Sequence, residues 1–317
     1  MLTPSRRRVI RQRLLQALPV LVLATFVVFG LLKLMPGDIA ITLAGENATE
    51  ERIHEIRELY GLNQPFLVQY GQWLFNAVQG DLGRSLASGE EVVTSIARSF
   101  PNTLLIVAMA ISIALLVGVP LGILAASRPD GWVDRIVTAV ASLGIAVPNF
   151  WLAMILVSWL ALGLWWFPAT GSHPFGDDPL KAIHHAALPA FALASGGISE
   201  VSRQLRSSLV EILSSQQVRT LHAKGLTPAV ILWKHGLKNV SVNLLTVATL
   251  LFNRMLAATV VVEAVFAIPG MGNLIVNGAL TRDLPVVQGV VFVMVLVVIA
   301  VNLAADILYT VLDPRID

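Results

Sequence analysis

Long apolar stretches separated by short polar segments dominate this chain of 317 residues. A helix needs roughly 20 predominantly apolar residues to span a bilayer, and six stretches approach or exceed that length. The fourth is short and rich in Ala, Gly and Ser, a composition that suits packing between helices. The pattern predicts an all-α integral membrane protein with six transmembrane helices, at 14–35, 101–127, 134–163, 187–202, 241–267 and 286–311.

The composition agrees with a membrane protein, since 56% of the residues are hydrophobic, 13% are charged and the mean hydropathy is +0.74. The N-terminal apolar run is too long for a secretory signal and no small-residue cleavage site follows it, so we expect an uncleaved first span. The chain contains no cysteine, which excludes disulfides and thiolate metal sites. A net charge of +2 does not indicate nucleic-acid binding.

Basic residues are unevenly distributed among the connecting segments. With six spans and the N-terminus inside, about fourteen of the 22 basic residues face the cytoplasm, as the positive-inside rule requires. A cluster of glutamates between residues 46 and 58 then lies outside. We therefore predict cytoplasmic N- and C-termini and a multi-pass protein in contact with membrane lipid.

The segment between the first two spans is polar and amphipathic. "ENATEERIHEIRELYGL" predicts a short helix with Asn47 as its N-cap and Gly61 at its end. The aromatic residues that follow it suit either the membrane interface or packing against spans: Phe66, Tyr70, Trp73 and Phe75. No linker divides the chain, so we predict one domain. Residues 1–100 carry the first helix and this extracytoplasmic segment, and residues 101–317 form a five-helix core.

Motifs for enzymatic chemistry are absent from the sequence. It contains no P-loop, no H-E-x-x-H and no G-x-S-x-G, so we predict no catalytic residue and no nucleotide or metal cofactor on this chain. The adjacent His184 and His185 make a poor metal pair, because neighbouring residues point to different helix faces. An interfacial or structural role competes there with contact to a metal or substrate.

Ionisable residues within apolar stretches are few, and each is costly in lipid unless it faces a partner or water. Arg254, with its neighbour Asn253, lies well inside the fifth span, and Glu263 lies near the end of that span. We consider all three as candidates for a translocation path. Arg254 could bind an anionic group on a substrate or an acidic residue of another subunit, or it could snorkel or form a structural pair. Glu263 could also be structural.

A short basic segment, "VRTLHAKGLTPAVILWKHGLKNV", separates the fourth and fifth spans. Gly225 predicts the end of one helix, and Thr227 with Pro228 predicts the start of another. Val230, Trp233, Leu237 and Val240 would form an apolar stripe on the second helix. A cytoplasmic hairpin of this kind could lie on anionic lipid or dock into a cleft of another protein. The short break between the helices favours transmission of force.

This segment resembles the cytoplasmic coupling segment, the "EAA" loop, of bacterial ABC importer permeases of the dipeptide/oligopeptide/nickel family. It departs from the usual form at Leu221-His222 and Gly236, and it lacks the acidic residue and paired alanines of other importers. Further blocks resemble the first permease subunit of such systems along nearly the whole chain: "LLKLMPGD", "GDLGRSL", "GIAVPNFWLAMIL", "FAIPGMGNLIVNGALTRDLPVVQGVV" and "NLAADILYTVLDPRI".

The resemblance implies a type I importer permease in the bacterial inner membrane. Its implied partners are a homologous second permease, one or two ATPase subunits that carry ATP and magnesium, and an extracytoplasmic solute-binding protein. A coupling loop at about 207–240 would dock on an ATPase through Val218, Arg219, Thr220, Ala223, Lys224, Gly225, Leu226, Lys234 and His235. Pro269, Gly270 and Gly272 would form an outer turn or re-entrant loop near the mouth of the path.

The resemblance implies peptides or peptide-like solutes as the cargo, and the guanidinium of Arg254 favours cargo that carries a carboxylate. Nickel or a metal–metallophore complex is the alternative. Two other classes of protein stay open: a membrane-embedded enzyme or anchor that uses the fifth span, and a channel or scaffold that needs no energy. The missing catalytic pairs disfavour the enzyme, and stable association with an ATPase would exclude the channel.

Overall fold

The computed structural model describes residues 4–34, 39–44, 48–59 and 61–312. Within these ranges, regular structure is helical apart from one isolated antiparallel bridge between Arg84 and Glu91. Two helical runs contain π-helical segments, at Val157–Gly163 and Ile231–Gly236. The α-helices are α1 (Pro4–Lys33), α2 (Ile39–Ala44), α3 (Glu50–Leu59), α4 (Phe66–Val78), α5 (Val92–Ser127), α6 (Trp132–Ala146), α7 (Asn149–Leu156), α8 (Pro179–Leu213), α9 (Gln216–Ala223), α10 (Pro228–Val230), α11 (Leu237–Val265), α12 (Met271–Leu280) and α13 (Leu284–Leu312).

Four helices of the described chain are long and apolar enough to cross a membrane: Arg11–Lys33, Val92–Ser127, Pro228–Val265 and Leu284–Val311. Helix α6 and the run Asn149–Gly163 provide a fifth crossing if this bent pair counts as one span. These segments coincide with five of the six predicted stretches. Four or five spans by length and composition are therefore found, and the sixth stays a prediction.

The third predicted span, 134–163, is not a single straight helix. Helix α6 and the run Asn149–Gly163 meet at 95°. Val147 between them is extended, with ψ of 120°, and Pro148 follows it. Proline disfavours the α conformation in the preceding residue and cannot donate a helical hydrogen bond, so the helix ends there.

The fourth predicted span, 187–202, lies inside the much longer helix α8. Asp178 caps this helix by accepting hydrogen bonds from the backbone N–H groups of Leu180 and Lys181, both at 3.1 Å. The Lys181 backbone N–H, followed by the Lys181 side chain, lowers the pKa of Asp178 below its usual value. Many residues of α8 between Ala182 and Leu209 are buried against protein. Small residues are common in such helices, which explains the modest hydropathy of α8.

Glycines of α5 bring its backbone close to α8. A Cβ atom added at Gly118 would lie 2.8 Å from Val201 Cβ, and one at Gly122 would lie 2.8 Å from the Ser202 carbonyl oxygen. The two glycines have the G-x-x-x-G spacing that permits close helix approach in membranes. Small residues at these positions therefore allow α5 and α8 to pack closely.

The chain divides into two compact units. One comprises Met1–Ile10, Pro101–Pro269 and Val301–Asp317, and the other comprises Arg11–Phe100 and Gly270–Ala300. In the second unit, residues 270–300 group with the N-terminal part of the chain, and the division into residues 1–100 and 101–317 stays a prediction. This grouping reflects a shared apolar core, in which α4, the start of α5, α12 and α13 contribute buried side chains.

In this second unit, aromatic rings join α4 to α1. Phe66 and Tyr70 form edge-to-face contacts with Phe26 at centroid distances of 5.4 and 5.2 Å, and Trp73 contacts Phe29. Packing on a span is therefore the role of these three α4 aromatic residues, whereas the side chain of Phe75 is 69% exposed. Asn47, the predicted cap of α3, lies outside the described residues, and the Thr49 hydroxyl accepts the Arg52 N–H at 3.4 Å.

Candidate functional site

The basic segment between α8 and α11 forms the predicted helix, glycine break and second helix. Ser215 precedes α9, and its hydroxyl accepts the Val218 N–H at 3.4 Å. The helix ends at Ala223, after which Gly225 adopts a φ of +83°. Only glycine adopts this left-handed region without steric cost, so the break depends on Gly225.

The second helix begins at Pro228 as predicted, with Thr227 before it. It continues through the π-helical segment Ile231–Gly236 into α11, so the connection from the glycine break to the fifth predicted span is helical throughout. A movement of the break can therefore reach the span through a rigid element.

The predicted apolar stripe on this helix is exposed at its start and buried at its end. Val230 and Trp233 are 42% and 63% exposed, whereas Ile231 and Val240 are buried. An exposed tryptophan consequently lies on the surface of the basic segment.

The structure places most predicted coupling residues on one continuous exposed segment. Val218 is buried and fixes α9 to the protein, while Leu226 and His235 are half-buried. The remaining predicted residues are exposed: Arg219, Thr220, Ala223, Lys224, Gly225 and Lys234. The segment thus offers positive charge and an accessible backbone turn to a partner.

A second site lies between α8, α11 and the link from α6 to α7. There the Arg254 Nη1 atom is 2.5 Å from Glu200 Oε2, and these side chains are 66% and 26% exposed. The pair borders a cavity of about 340 Å³, which Asn149 and Arg203 also line. Of the alternatives for Arg254, a pair within the chain is therefore the one seen. Glu200 had no role in the sequence-based prediction, because 54 residues separate it from Arg254.

The other two path candidates lie apart from this pair. Asn253 donates from Nδ2 to Asn302 Oδ1 at 3.2 Å. Glu263 is fully buried and accepts a hydrogen bond from the Thr103 hydroxyl at 2.6 Å. This contact gives Glu263 a packing role, and a role in the path stays a prediction for both residues.

The predicted outer turn divides into a loop end and a helix start. The Pro269 carbonyl accepts a hydrogen bond from Asn102 Nδ2 at 2.9 Å. Gly270 is the N-cap residue of α12, and Gly272 is buried in its first turn. The region is therefore a turn followed by a short apolar helix, consistent with the predicted irregular segment.

Two further polar clusters were not predicted from the sequence. Arg206 of α8 forms a bidentate ion pair with Asp134, which is 3% exposed at the start of α6. Asp283 accepts hydrogen bonds from the Ser85 hydroxyl and from the backbone N–H of Leu86 at 3.1 Å. In each cluster, an acidic residue at the edge of an apolar stretch could have indicated a buried polar contact. The sequence does not show which residue is its partner.

The adjacent histidines contact backbone carbonyl groups. A ring nitrogen of His184 lies 2.9 Å from the Trp166 oxygen, and His185 Nδ1 lies 2.8 Å from the Lys181 oxygen. Both contacts suit a ring N–H that donates a hydrogen bond to the carbonyl oxygen. These bonds support the structural interpretation of the pair.

Comparison with known protein families gives two matches that together cover most of the chain. The family described as "Binding-protein-dependent transport system inner membrane component" matches residues 118–317. The N-terminal part of such membrane components matches residues 6–108.

Curated relatives match over nearly their whole length. A Brucella abortus protein, whose name proposes a peptide transport system permease, is 40% identical over 97% of this chain and 98% of its own. The oligopeptide transport system permease protein AppB of Bacillus subtilis is 37% identical over 96% and 98% of the two chains. The dipeptide transport system permease protein DppB of Alkalihalophilus pseudofirmus is 34% identical, also over 96% and 98%.

Among solved structures, the inward-facing MetNI methionine ABC transporter is similar in fold. One of its chains matches with a TM-score of 0.54 and 19% identity, covering 69% of this chain and 96% of that chain. At this identity the match supports the architecture alone.

Proposed function

Because the chain belongs to the family of inner membrane components of binding-protein-dependent transport systems, we propose that it forms half of a translocation path for peptides or peptide-like solutes. It is a permease subunit of an ABC importer. The names of its relatives, which refer to peptide, oligopeptide and dipeptide transport, support the choice of cargo. A further relative, 35% identical to this chain, is the glutathione transport system permease protein of Escherichia coli, and the glutathione in its name is a tripeptide-like molecule.

The observation that carries this proposal is the exposed helical hairpin around Gly225, which continues into α11. Its exposed positive charge and Trp233 would dock into a groove of an ATPase subunit on the cytoplasmic side. Closure of the ATPase subunits on ATP would move the hairpin, and the helical connection would pass that movement to the span. Such a switch requires contacts that differ between the two states, here supplied by ATP and by the loaded binding protein.

Partner subunits complete the proposed machine. A homologous second permease would form the other half of the path, and an extracytoplasmic solute-binding protein would deliver the peptide. ATP and magnesium would bind to the ATPase subunits, and this chain would supply no catalytic residue.

The proposed topology has six spans, with both termini in the cytoplasm of a bacterium. Helix α8 would be the span that hydropathy alone does not identify, because much of its surface contacts protein instead of lipid. The basic segment then lies inside, as the distribution of Lys and Arg favours.

The test is co-purification of the tagged chain from solubilised membranes, with recovered proteins identified by mass spectrometry. We expect an ATPase, a second permease and a peptide-selective binding protein. Trp233→Ala should lower the recovery of the ATPase, because it removes an exposed anchor of the hairpin. Trp166→Ala is the matched control, since the two tryptophans are 63% and 64% exposed. Recovery of no ATPase under conditions that keep a known importer intact would contradict the proposal.

A further inference from the structure

The charges around the α8–α11 cavity do not balance within the described chain. Glu200 and Arg254 pair with each other, while Arg203 lines the same cavity and is exposed. Among the described residues, Arg203 has no hydrogen-bond or ion-pair partner. The cavity is therefore lined by one carboxylate and two guanidinium groups. The excess positive charge favours the binding of an anionic group.

The positions of Glu200 and Arg203 match the two ends of a short peptide. Residues three apart on a helix share a face, with about 5–6 Å between their Cβ atoms. A dipeptide at about 3.3–3.6 Å per residue places its two termini roughly 7 Å apart. The C-terminal half of α8 thus offers an acceptor for an ammonium group and, one turn away, a fork of donors for a carboxylate.

The size of the cavity limits the ligand. Small-molecule sites are typically about 300–1,000 Å³, and this cavity of about 340 Å³ lies at the lower end. A di- or tripeptide suits that volume, whereas a long oligopeptide does not. Gly196 lines the cavity and adds no side-chain atoms to it.

We propose that this cavity is a binding site for di- and tripeptides with free termini, in which Glu200 binds the α-ammonium group and Arg203, with Arg254, binds the α-carboxylate. This inference rests on the proposed peptide transport. The ammonium group of the ligand binds Glu200, which also contacts Arg254. The carboxylate of the ligand binds Arg203 and neutralises its charge. A peptide with an amidated C-terminus would leave Arg203 without a partner, and an N-acetylated peptide would lose the bond from its ammonium group to Glu200, which disfavours the binding of both.

The absence of cysteine from the chain permits a direct test. An added Cβ at Gly196 would meet only Asn149 Oδ1 and the Gly144 carbonyl oxygen, both at 3.9 Å, so Gly196→Cys should be tolerated. The variant chain is placed in nanodiscs, where both faces are accessible, and its reaction with a maleimide is timed with and without alanyl-alanine. Gly71→Cys on α4 is the control, because an added Cβ there has no neighbour within 4 Å.

We expect alanyl-alanine at ten times its dissociation constant to slow labelling of the Gly196→Cys variant about tenfold, since protection follows 1 + [L]/Kd. N-acetyl-alanyl-alanine and alanyl-alanine amide should protect weakly. Adding Arg203→Gln or Glu200→Gln should raise the half-protecting concentration about tenfold or more, whereas Arg203→Lys should retain part of the protection.

Equal protection by the end-blocked peptides, protection unchanged by either charge substitution, or protection by none of the peptides would overturn the inference. A variant that does not fold is recognised because the maleimide then labels it at an altered rate without peptide. The assay needs no ATPase or binding protein, so its failure is distinct from failure of the proposed function, which co-purification tests separately.

Discussion

Replacing Gly225 tests how much the left-handed backbone conformation at the glycine break contributes to coupling. Its φ of +83° lies in the left-handed region, and a Cβ added there would meet no atom within 4 Å. Gly225→Ala therefore introduces a conformational cost without a clash. Gly225→Pro is more severe, because proline holds φ near −65° and removes the N–H that donates to the His222 carbonyl at 2.9 Å.

The magnitude follows from the geometry. A left-handed conformation costs a residue with a side chain about 1–2 kcal/mol relative to glycine. If the ATPase binds the hairpin only with this turn formed, that cost lowers the population competent to dock by a factor of about 5–30. Gly225→Asn should lose less, since asparagine tolerates this region better than alanine.

Gly171→Ala is the matched control for Gly225→Ala. Gly171 has a φ of +84° and also has no neighbour within 4 Å of an added Cβ. It lies in the loop before α8, outside the proposed coupling segment. The two alanine substitutions thus impose a similar conformational free-energy cost, one inside the proposed coupling segment and one outside it.

The assay measures peptide uptake and ATP hydrolysis together in proteoliposomes that contain the assembled importer. We expect Gly225→Ala to lower uptake per ATP hydrolysed by about 5–30-fold, Gly225→Pro to abolish coupled uptake, and Gly171→Ala to leave the ratio unchanged. Equal ratios for Gly225→Ala and Gly171→Ala would refute the reasoning, as would full coupling in the Gly225→Pro variant.

Two further predictions concern stability, measured by thermal unfolding in detergent. Arg206→Met should destabilise the chain by about 3–5 kcal/mol, because it leaves the Asp134 carboxylate buried without its cation, and adding Asp134→Asn should restore much of the loss. Gly118→Ala should cost about 1–3 kcal/mol, because its Cβ would lie 2.8 Å from Val201 Cβ, whereas Gly196→Ala should not destabilise. Equal stability of the two members of either comparison would contradict the packing described.

Features that depend on neighbouring residues could be predicted from the sequence. The break at Gly225 and the restart at Pro228 follow from the backbone preferences of glycine and proline, which act locally. Four or five candidate membrane spans follow from hydropathy, since the bilayer imposes their length. The family followed from blocks of residues in order along the chain.

Other features could not be predicted because they depend on which surface faces protein. The composition of α8 indicates packing between helices, but it does not specify that Val201 and Ser202 pack against Gly118 and Gly122. Trp233 is exposed within the π-helical segment Ile231–Gly236, a segment that the apolar pattern does not predict. The bend at Pro148 was visible as a proline, but its angle of 95° was not.

The sequence by itself determined the class of protein, most of its spans and the hairpin, because hydropathy and backbone preference act over a few residues. Only the tertiary structure decided which charges meet. The pairs Glu200–Arg254, Asp134–Arg206 and Ser85–Asp283 join residues 54, 72 and 198 positions apart. A buried charge requires a partner, but its sequence does not specify which one, because the choice depends on how the helices pack.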